Sequence, residues 1–334
     1  MGSILNTVYY HTAPYKIEQS TQLLSAPESE FLMVQYLFCG ICGGDYSVYC
    51  GRRSEYPVSL GHEFVAVIVE SGINCTEYSV GDIVISDFNY RCNNCKYCKN
   101  GKSHLCVHNN IQKFSNRGFA NYATIHKNYL YKIPLFDFLP KACLIEPLSC
   151  VIHACEKLSF DKETFIVING AGSIGMLFTF YLTQILKCTH IQISEFNKAR
   201  LNKILEHFPV TGYQKNDSDF PDLVIECSNS IEGMYTALDI CGIGGSLCIM
   251  SHLYGLDTSF IYEAICKKEL QASCPLRNGG RKNIEAAINY IDNDWSESNN
   301  NMLGIFHNVG DAFAHKNSTA YNKQIIKLGE ITHS

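Results

Sequence analysis

The sequence predicts a two-domain α/β protein, a β-rich first unit followed by a doubly wound parallel sheet. Three observations carry that expectation. The chain has 334 residues, more than one hydrophobic core comfortably serves. Its first 145 or so residues read as short β-type runs between turns. Near Pro147 the texture changes abruptly to strand, glycine turn, helix, strand, the signature of a βαβ unit.

In chain order, apolar runs at 31–38 and 64–70 and a third at 83–85 behind Gly81-Asp82 predict strands of the first unit. No long 3.6-residue period interrupts them. Beyond Pro147, residues 165–168 read as a strand buried on both faces, 172–186 as a helix and 191–194 as the next parallel strand. Later strands are expected at 223–227 and 246–250, and a helix at 283–291. The polar stretch 292–301 is expected to be a surface loop.

Composition narrows the function classes. Apolar residues make up 46% and the formal net charge is -5, with no basic patch of the kind nucleic acid requires. The first residues lack a basic segment followed by an apolar one, so no secretory leader is expected. The longest apolar stretch, 174–186, contains Thr179, Thr183 and Gln184 and falls short of the roughly 20 residues that span a bilayer. A cytoplasmic protein without membrane or nucleic-acid partners is expected. Seventeen cysteines cannot all pair within one chain, and such a count without an export signal argues against a disulfide framework. Cys143, Cys227 and Cys248 sit among apolar neighbours and read as small buried hydrophobes.

Four cysteines stand apart. Cys92, Cys95, Cys98 and Cys106 have the spacing C-x2-C-x2-C-x7-C, which can bring four thiolates to one tetrahedral Zn²⁺ at about 2.3 Å. Lys96 and Lys99 offset the charge, and a closed thiolate shell makes such a site structural. Upstream, Gly-Ile-Cys-Gly-Gly-Asp at 40–45 and Gly-His-Glu at 61–63 offer Cys42, His62 and Glu63, a three-donor set with a vacant position. Asp45 is placed to accept the other ring N–H of His62. Glu146 can bind the same metal or hold its water.

Gly170-Ala171-Gly172-Ser173-Ile174-Gly175 is G-x-G-x-x-G between a strand and a helix, the context of a dinucleotide loop. Glu195, at the end of the next apolar run, is where an acid grips the adenosine ribose 2′-OH, which favours NAD over NADP. Arg200 points either to a 2′-phosphate or to the ribose 3′-OH. Arg277, Arg281 and Lys282 around Gly279-Gly280 read as a solvated charged turn or as an anion site at a helix start.

Together these motifs, with Arg-Gly-Phe-Ala-Asn-Tyr at 117–122, Glu-Pro-Leu-Ser-Cys at 146–150, Ile-His-Ala-Cys at 152–155 and Val-Ile-Glu-Cys at 224–227, resemble the zinc-containing medium-chain dehydrogenase/reductase family. Within it they are similar to the polyol, sorbitol-type, branch. The resemblance implies a GroES-like catalytic domain at 1–145 with both zinc sites, a Rossmann NAD-binding domain at 146–275, and a return to the first domain at 276–334. It further implies one catalytic and one structural zinc, a nicotinamide cofactor, a polyol, sugar, cyclitol or phosphorylated substrate, and a homodimer or homotetramer. The chain departs from the family at two points: Gly44 stands where Ser or Thr usually takes the substrate proton, and Ser47 replaces a relay histidine. Tyr46 or Glu146 would then move the proton. Those departures keep two alternatives in view, a ribulose-5-phosphate/ribitol-5-phosphate-type reductase and a cofactor-binding relative with little catalysis; the cysteine knuckle alone adds a third, a nucleic-acid binder, against which the acidic balance speaks.

Overall fold

The computed structural model describes residues 3–331 except 55, 87, 88, 90, 109–116, 217, 218, 255, 256, 318 and 319. Among the described residues the strands form three sheets. An N-terminal hairpin, Ile4–Ala13 with Lys16–Leu24, adds the short strand Val58–Ser59. A seven-stranded sheet is centred on Phe31–Gly40, which pairs antiparallel with Glu63–Ser71, Tyr122–His126 and Lys323–Lys327. The chain's last strands, Leu303–Phe306 and Lys323–Lys327, therefore complete a sheet begun near the N-terminus.

The third sheet is parallel and six-stranded. Ile166–Asn169 and Leu223–Glu226 lie at its centre, flanked by Ile191–Ser194 and Thr211–Gly212 on one side and by Ser246–Ile249 and Gln271–Ser273 on the other. Connections run both ways from Ile166–Asn169, so the crevice where strand order reverses opens at its carboxyl end. All four residues of Ile166–Asn169 are buried, as a central parallel strand requires. Helix Ile145–Cys155 buries nine of its eleven residues. Its Ile145, Leu148 and Val151 belong to one apolar cluster that holds Leu37 and Val65 of the seven-stranded sheet and Ile166 and Ile168 of the parallel one. That continuous core sets the two sheets against each other and fixes the cleft between them.

Two expectations are corrected. The helix expected over 172–186 is α-helical only over Ser173–Phe180 and continues as a π turn, Tyr181–Ile185. Thr179 donates to the Gly175 carbonyl at 2.8 Å and Thr183 to the Thr179 carbonyl at 2.7 Å. Hydroxyls bonded back to the preceding turn disturb the regular ladder. The expected polar loop at 292–301 contains a 3₁₀ turn, Glu297–Met302. It is pinned by Trp295, 4% exposed, edge-on to Phe180 at 5.2 Å and donating to Asn300 Oδ1 at 3.0 Å. One aromatic side chain thus holds an otherwise polar segment to the core. Among the described residues no helix is long and apolar enough to cross a membrane.

Candidate metal centres and dinucleotide cleft

Cys42 sits where strand Phe31–Gly40 gives way to the short helix Gly43–Tyr49. It is the N-cap of that helix: Gly44 N–H donates to its sulfur at 3.4 Å, and its own N–H donates to Asp45 Oδ2 at 3.1 Å. This reciprocal cap points the sulfur out of the helix start. Glu63 opens strand Glu63–Ser71, paired with Gly40, and His62 immediately precedes it. The strand pairing thus brings residues twenty positions apart together. One ligand atom from each of Cys42, His62 and Glu63 lies within 4.8 Å of the others.

The surroundings of this triad are anionic. Burial lowers the basicity of His62, but the Asp45 carboxylate and the Cys42 sulfur outweigh it and hold the imidazole pKa well above its usual value. Asp45 Oδ1 is 3.7 Å from His62 Nδ1, the approach expected for it, though longer than a tight hydrogen bond. Thiolate, imidazole and carboxylate around a partly exposed point form a donor set that suits zinc and leaves a position open. Glu146, in the first turn of Ile145–Cys155, lies outside that 4.8 Å group, but its carboxylate is near enough to help raise the His62 pKa; its Oε1 accepts from the Cys150 thiol at 3.7 Å. The Ser47 hydroxyl is buried and donates to the Gly43 carbonyl at 3.0 Å. Tyr46 is raised above its usual pKa by burial and by Cys50, and its hydroxyl accepts from Asn317 at 3.0 Å.

One residue the sequence reading missed is Lys323. Its ammonium is buried, ion-paired to Glu63 and bonded to the Ile41 carbonyl at 3.1 Å. Lys323 and Glu63 begin strands on opposite sides of Phe31–Gly40, and they meet across Gly40. A Cβ there would lie 2.6 Å from Lys323 Cε and 2.8 Å from Glu63 Oε2, so only glycine lets the pair close. The signal in the sequence was a charged residue, Lys323, at the head of an apolar strand, with its partner 260 positions away.

The four-cysteine group also converges. Cys92 and Cys98 sulfurs are 3.9 Å apart, as are those of Cys95 and Cys106. Four sulfurs about 2.3 Å from a shared centre lie about 3.8 Å from one another, whereas a disulfide requires about 2.05 Å. Backbone amides of Asn94 and Cys95 donate to Cys92 at 3.5 and 3.3 Å and pull its pKa down. The turn at 277–280 serves this knuckle. Arg277 donates to the His104 carbonyl at 2.9 Å, and His104 Nδ1 bonds the Gly279 carbonyl at 2.8 Å. Arg281 pairs with Glu285 and Lys282 with Glu156, which leaves the solvated charged turn as the reading the contacts support.

The glycine loop turns from Ile166–Asn169 into helix Ser173–Phe180. Gly175 packs so closely that a Cβ would meet the Gly170 carbonyl oxygen at 1.8 Å, while a Cβ on Gly172 would meet nothing within 4 Å. Ser173, first in the helix beside partly buried Ile174, has a buried hydroxyl with no partner among the described residues. Tight packing below, open space above and an unsatisfied hydroxyl at a helix start fit a diphosphate. Glu195 accepts from Ala171 N–H at 2.6 Å and from Asn197 N–H at 2.7 Å, beside the loop. Arg200 turns away: it is 7% exposed and donates to the carbonyls of Lys316 and, at 3.1 Å, Tyr321.

Residues 28–135 match the family model of the alcohol dehydrogenase GroES-like domain. The chain is 27% identical over 260 residues to sorbitol dehydrogenase of Halalkalibacterium halodurans, covering 73% of this chain and 76% of that protein. It is 35% identical over 171 residues to D-arabitol-phosphate dehydrogenase of Enterococcus avium, covering 49% and 47%. The crystal structure of a dehydrogenase from Sinorhizobium meliloti 1021, described as zinc-binding and bound to NADP, superposes with a TM-score of 0.81 at 22% identity. That match covers 97% of this chain and 99% of that one, and it is a likeness of fold. Beside the converging donor sets and the glycine loop, these matches liken residues 28–135 to the alcohol dehydrogenase GroES-like domain and most of the chain to a sorbitol dehydrogenase.

Proposed function

We propose that the protein is a zinc-dependent alcohol dehydrogenase that exchanges hydride between a secondary alcohol of a polyol, sugar, cyclitol or phosphorylated counterpart and a nicotinamide dinucleotide. The observation that carries this reading is the meeting of Cys42, His62 and Glu63 within 4.8 Å, across the cleft from a loop shaped for a diphosphate. Zinc held by these three residues supplies Lewis acidity toward an alcohol oxygen; nicotinamide supplies the hydride acceptor. The protein's own task is position and charge. Asp45 steadies Cys42 through its backbone and lies beside His62. Lys323 compensates Glu63. Gly170, Gly172, Ser173, Ile174 and Gly175 seat the diphosphate, and Glu195 receives the adenosine ribose. Cys92, Cys95, Cys98 and Cys106 hold the second, structural zinc.

NAD is preferred over NADP in this reading. The Glu195 carboxylate repels a 2′-phosphate, and Arg200 is occupied by two backbone carbonyls. Homodimer or homotetramer assembly and a cytoplasmic site of action belong to the same proposal.

The test is a panel of sorbitol, ribitol, arabitol and their phosphates with NAD and NADP, read by the absorbance of reduced nicotinamide. Cys42→Ser should lower kcat/KM by roughly a hundred- to a thousandfold, the loss of several kcal/mol of Lewis-acid stabilisation. Turnover unaffected by Cys42→Ser would refute the metal reading. Dinucleotide binding without turnover of any compound would favour the relative with little catalysis, the alternative that Gly44 and the occupied Ser47 hydroxyl support.

A further inference from the structure

Lys316, Asn317, Tyr321 and Asn322 lie across the cleft as a strap. Asn317 donates to the Tyr46 hydroxyl at 3.0 Å, beside the metal-facing helix start. Asn322 donates to the Ala171 carbonyl of the glycine loop at 2.7 Å and to the Arg200 carbonyl at 3.4 Å. Arg200 returns two bonds to the strap, to Lys316 and Tyr321. The strap thus touches the metal side and the dinucleotide side at once. Its side chain of interest is Lys316, partly buried, with its ammonium 5.3 Å from the centre of the Tyr46 ring.

Three cations gather here, and two are already engaged. Lys323 is paired with Glu63. Arg200 holds two carbonyls, with Glu195 near enough to stabilise its charge. The Lys316 ammonium has no hydrogen bond or carboxylate ion pair among the described residues; the face of Tyr46 lies against it. Burial, together with Arg200 and Lys323, pulls its pKa down to about 8, against the opposing pull of Cys42 and Glu63. A partly buried ammonium without a carboxylate partner is free to take an anionic ligand, and the strap's bonds keep it in place.

We propose that Lys316 anchors a phosphate group carried into the cleft by a ligand, either the diphosphate of the dinucleotide or the phosphomonoester of a sugar-alcohol substrate. This rests on the dehydrogenase reading for the identity of those ligands, while the charge argument concerns phosphate itself. Tyr46 and Arg200 position the strap; Lys316 makes the contact.

The experiment uses the full-length, zinc-loaded protein and its Lys316→Met, Lys316→Gln and Lys316→Arg variants, each checked for an unchanged melting temperature without ligand. NADH affinity is measured by fluorescence titration, inorganic pyrophosphate by thermal shift, and kcat/KM with arabitol and arabitol phosphate. Removing the charge should weaken one phosphate-bearing ligand roughly tenfold, with Lys316→Arg retaining most of the affinity. Losses in NADH affinity and in the pyrophosphate shift assign the diphosphate. Unchanged NADH binding with a loss confined to arabitol phosphate assigns the phosphomonoester. Unaltered behaviour toward all three phosphate compounds in both neutral variants overturns the proposal. Wild-type protein that binds no NADH and turns over no polyol defeats the dehydrogenase reading instead, and the pyrophosphate comparison still decides the role of Lys316.

Discussion

His11 lies wholly buried between Tyr49 and Phe313, whose rings meet it edge-on at 6.2 and 4.8 Å, and neither ring nitrogen has a partner among the described residues. Burial pushes its pKa down to about 4, with Asp45 opposing. The folded chain therefore keeps the imidazole neutral where the unfolded chain, at about 6.5, takes up a proton. Stability from this residue is fully present above pH 6.5 and is lost as pH falls toward 4, by about 3 kcal/mol in total. Urea unfolding at pH 7.5 and 5 should show the loss, and His11→Phe should flatten the dependence. Equal slopes in both proteins would mean that the ring is hydrated or paired in solution.

Short elements carry the four-cysteine group. The knuckle from Cys92 to Cys106 contains only the helix Lys96–Lys99 and a 3₁₀ turn, Ser103–Leu105. Its four side chains must be held by something stronger than apolar packing. Cys95→Ser should reduce bound zinc from about two ions per chain to about one. Amide exchange should then rise across 92–106 and in the turn at 277–280, which bonds His104, while the parallel sheet stays protected. Exchange that rises uniformly over the chain would show instead that the knuckle folds with the whole protein. At this same scale the cysteine spacing was fully legible, because thiolates a few residues apart have little freedom in where they meet. The end of the helix at 172–186 was not. Whether a threonine bonds back to its helix or faces a polar neighbour depends on what packs around it.

Across the whole molecule, the ion pair of Lys323 and Glu63 ties the last strand to the triad of Cys42, His62 and Glu63 and buries both charges, at 0% and 2% side-chain exposure. In metal-free protein, Lys323→Met leaves the Glu63 carboxylate buried and uncompensated, a loss of about 3–5 kcal/mol. Adding Glu63→Gln should recover much of it, and a double-mutant cycle in urea measures the coupling. Additive losses would mean that the two side chains do not depend on each other. The return of the last two strands to the sheet of Phe31–Gly40 is likewise a property of the whole molecule.

The order of motifs along the chain determined by itself the two donor sets, the glycine loop with Glu195, and the alternation of strand and helix after Pro147. Each of these is written in short spacings, where covalent geometry and local hydrogen bonding leave few outcomes. Only the tertiary structure decided that Lys323 would meet Glu63 over Gly40, that Arg200 would spend its guanidinium on a distant strap, and that Lys316 would be left facing the cleft. Those outcomes depend on strand register and on packing between residues more than a hundred positions apart, and no local preference encodes such a meeting.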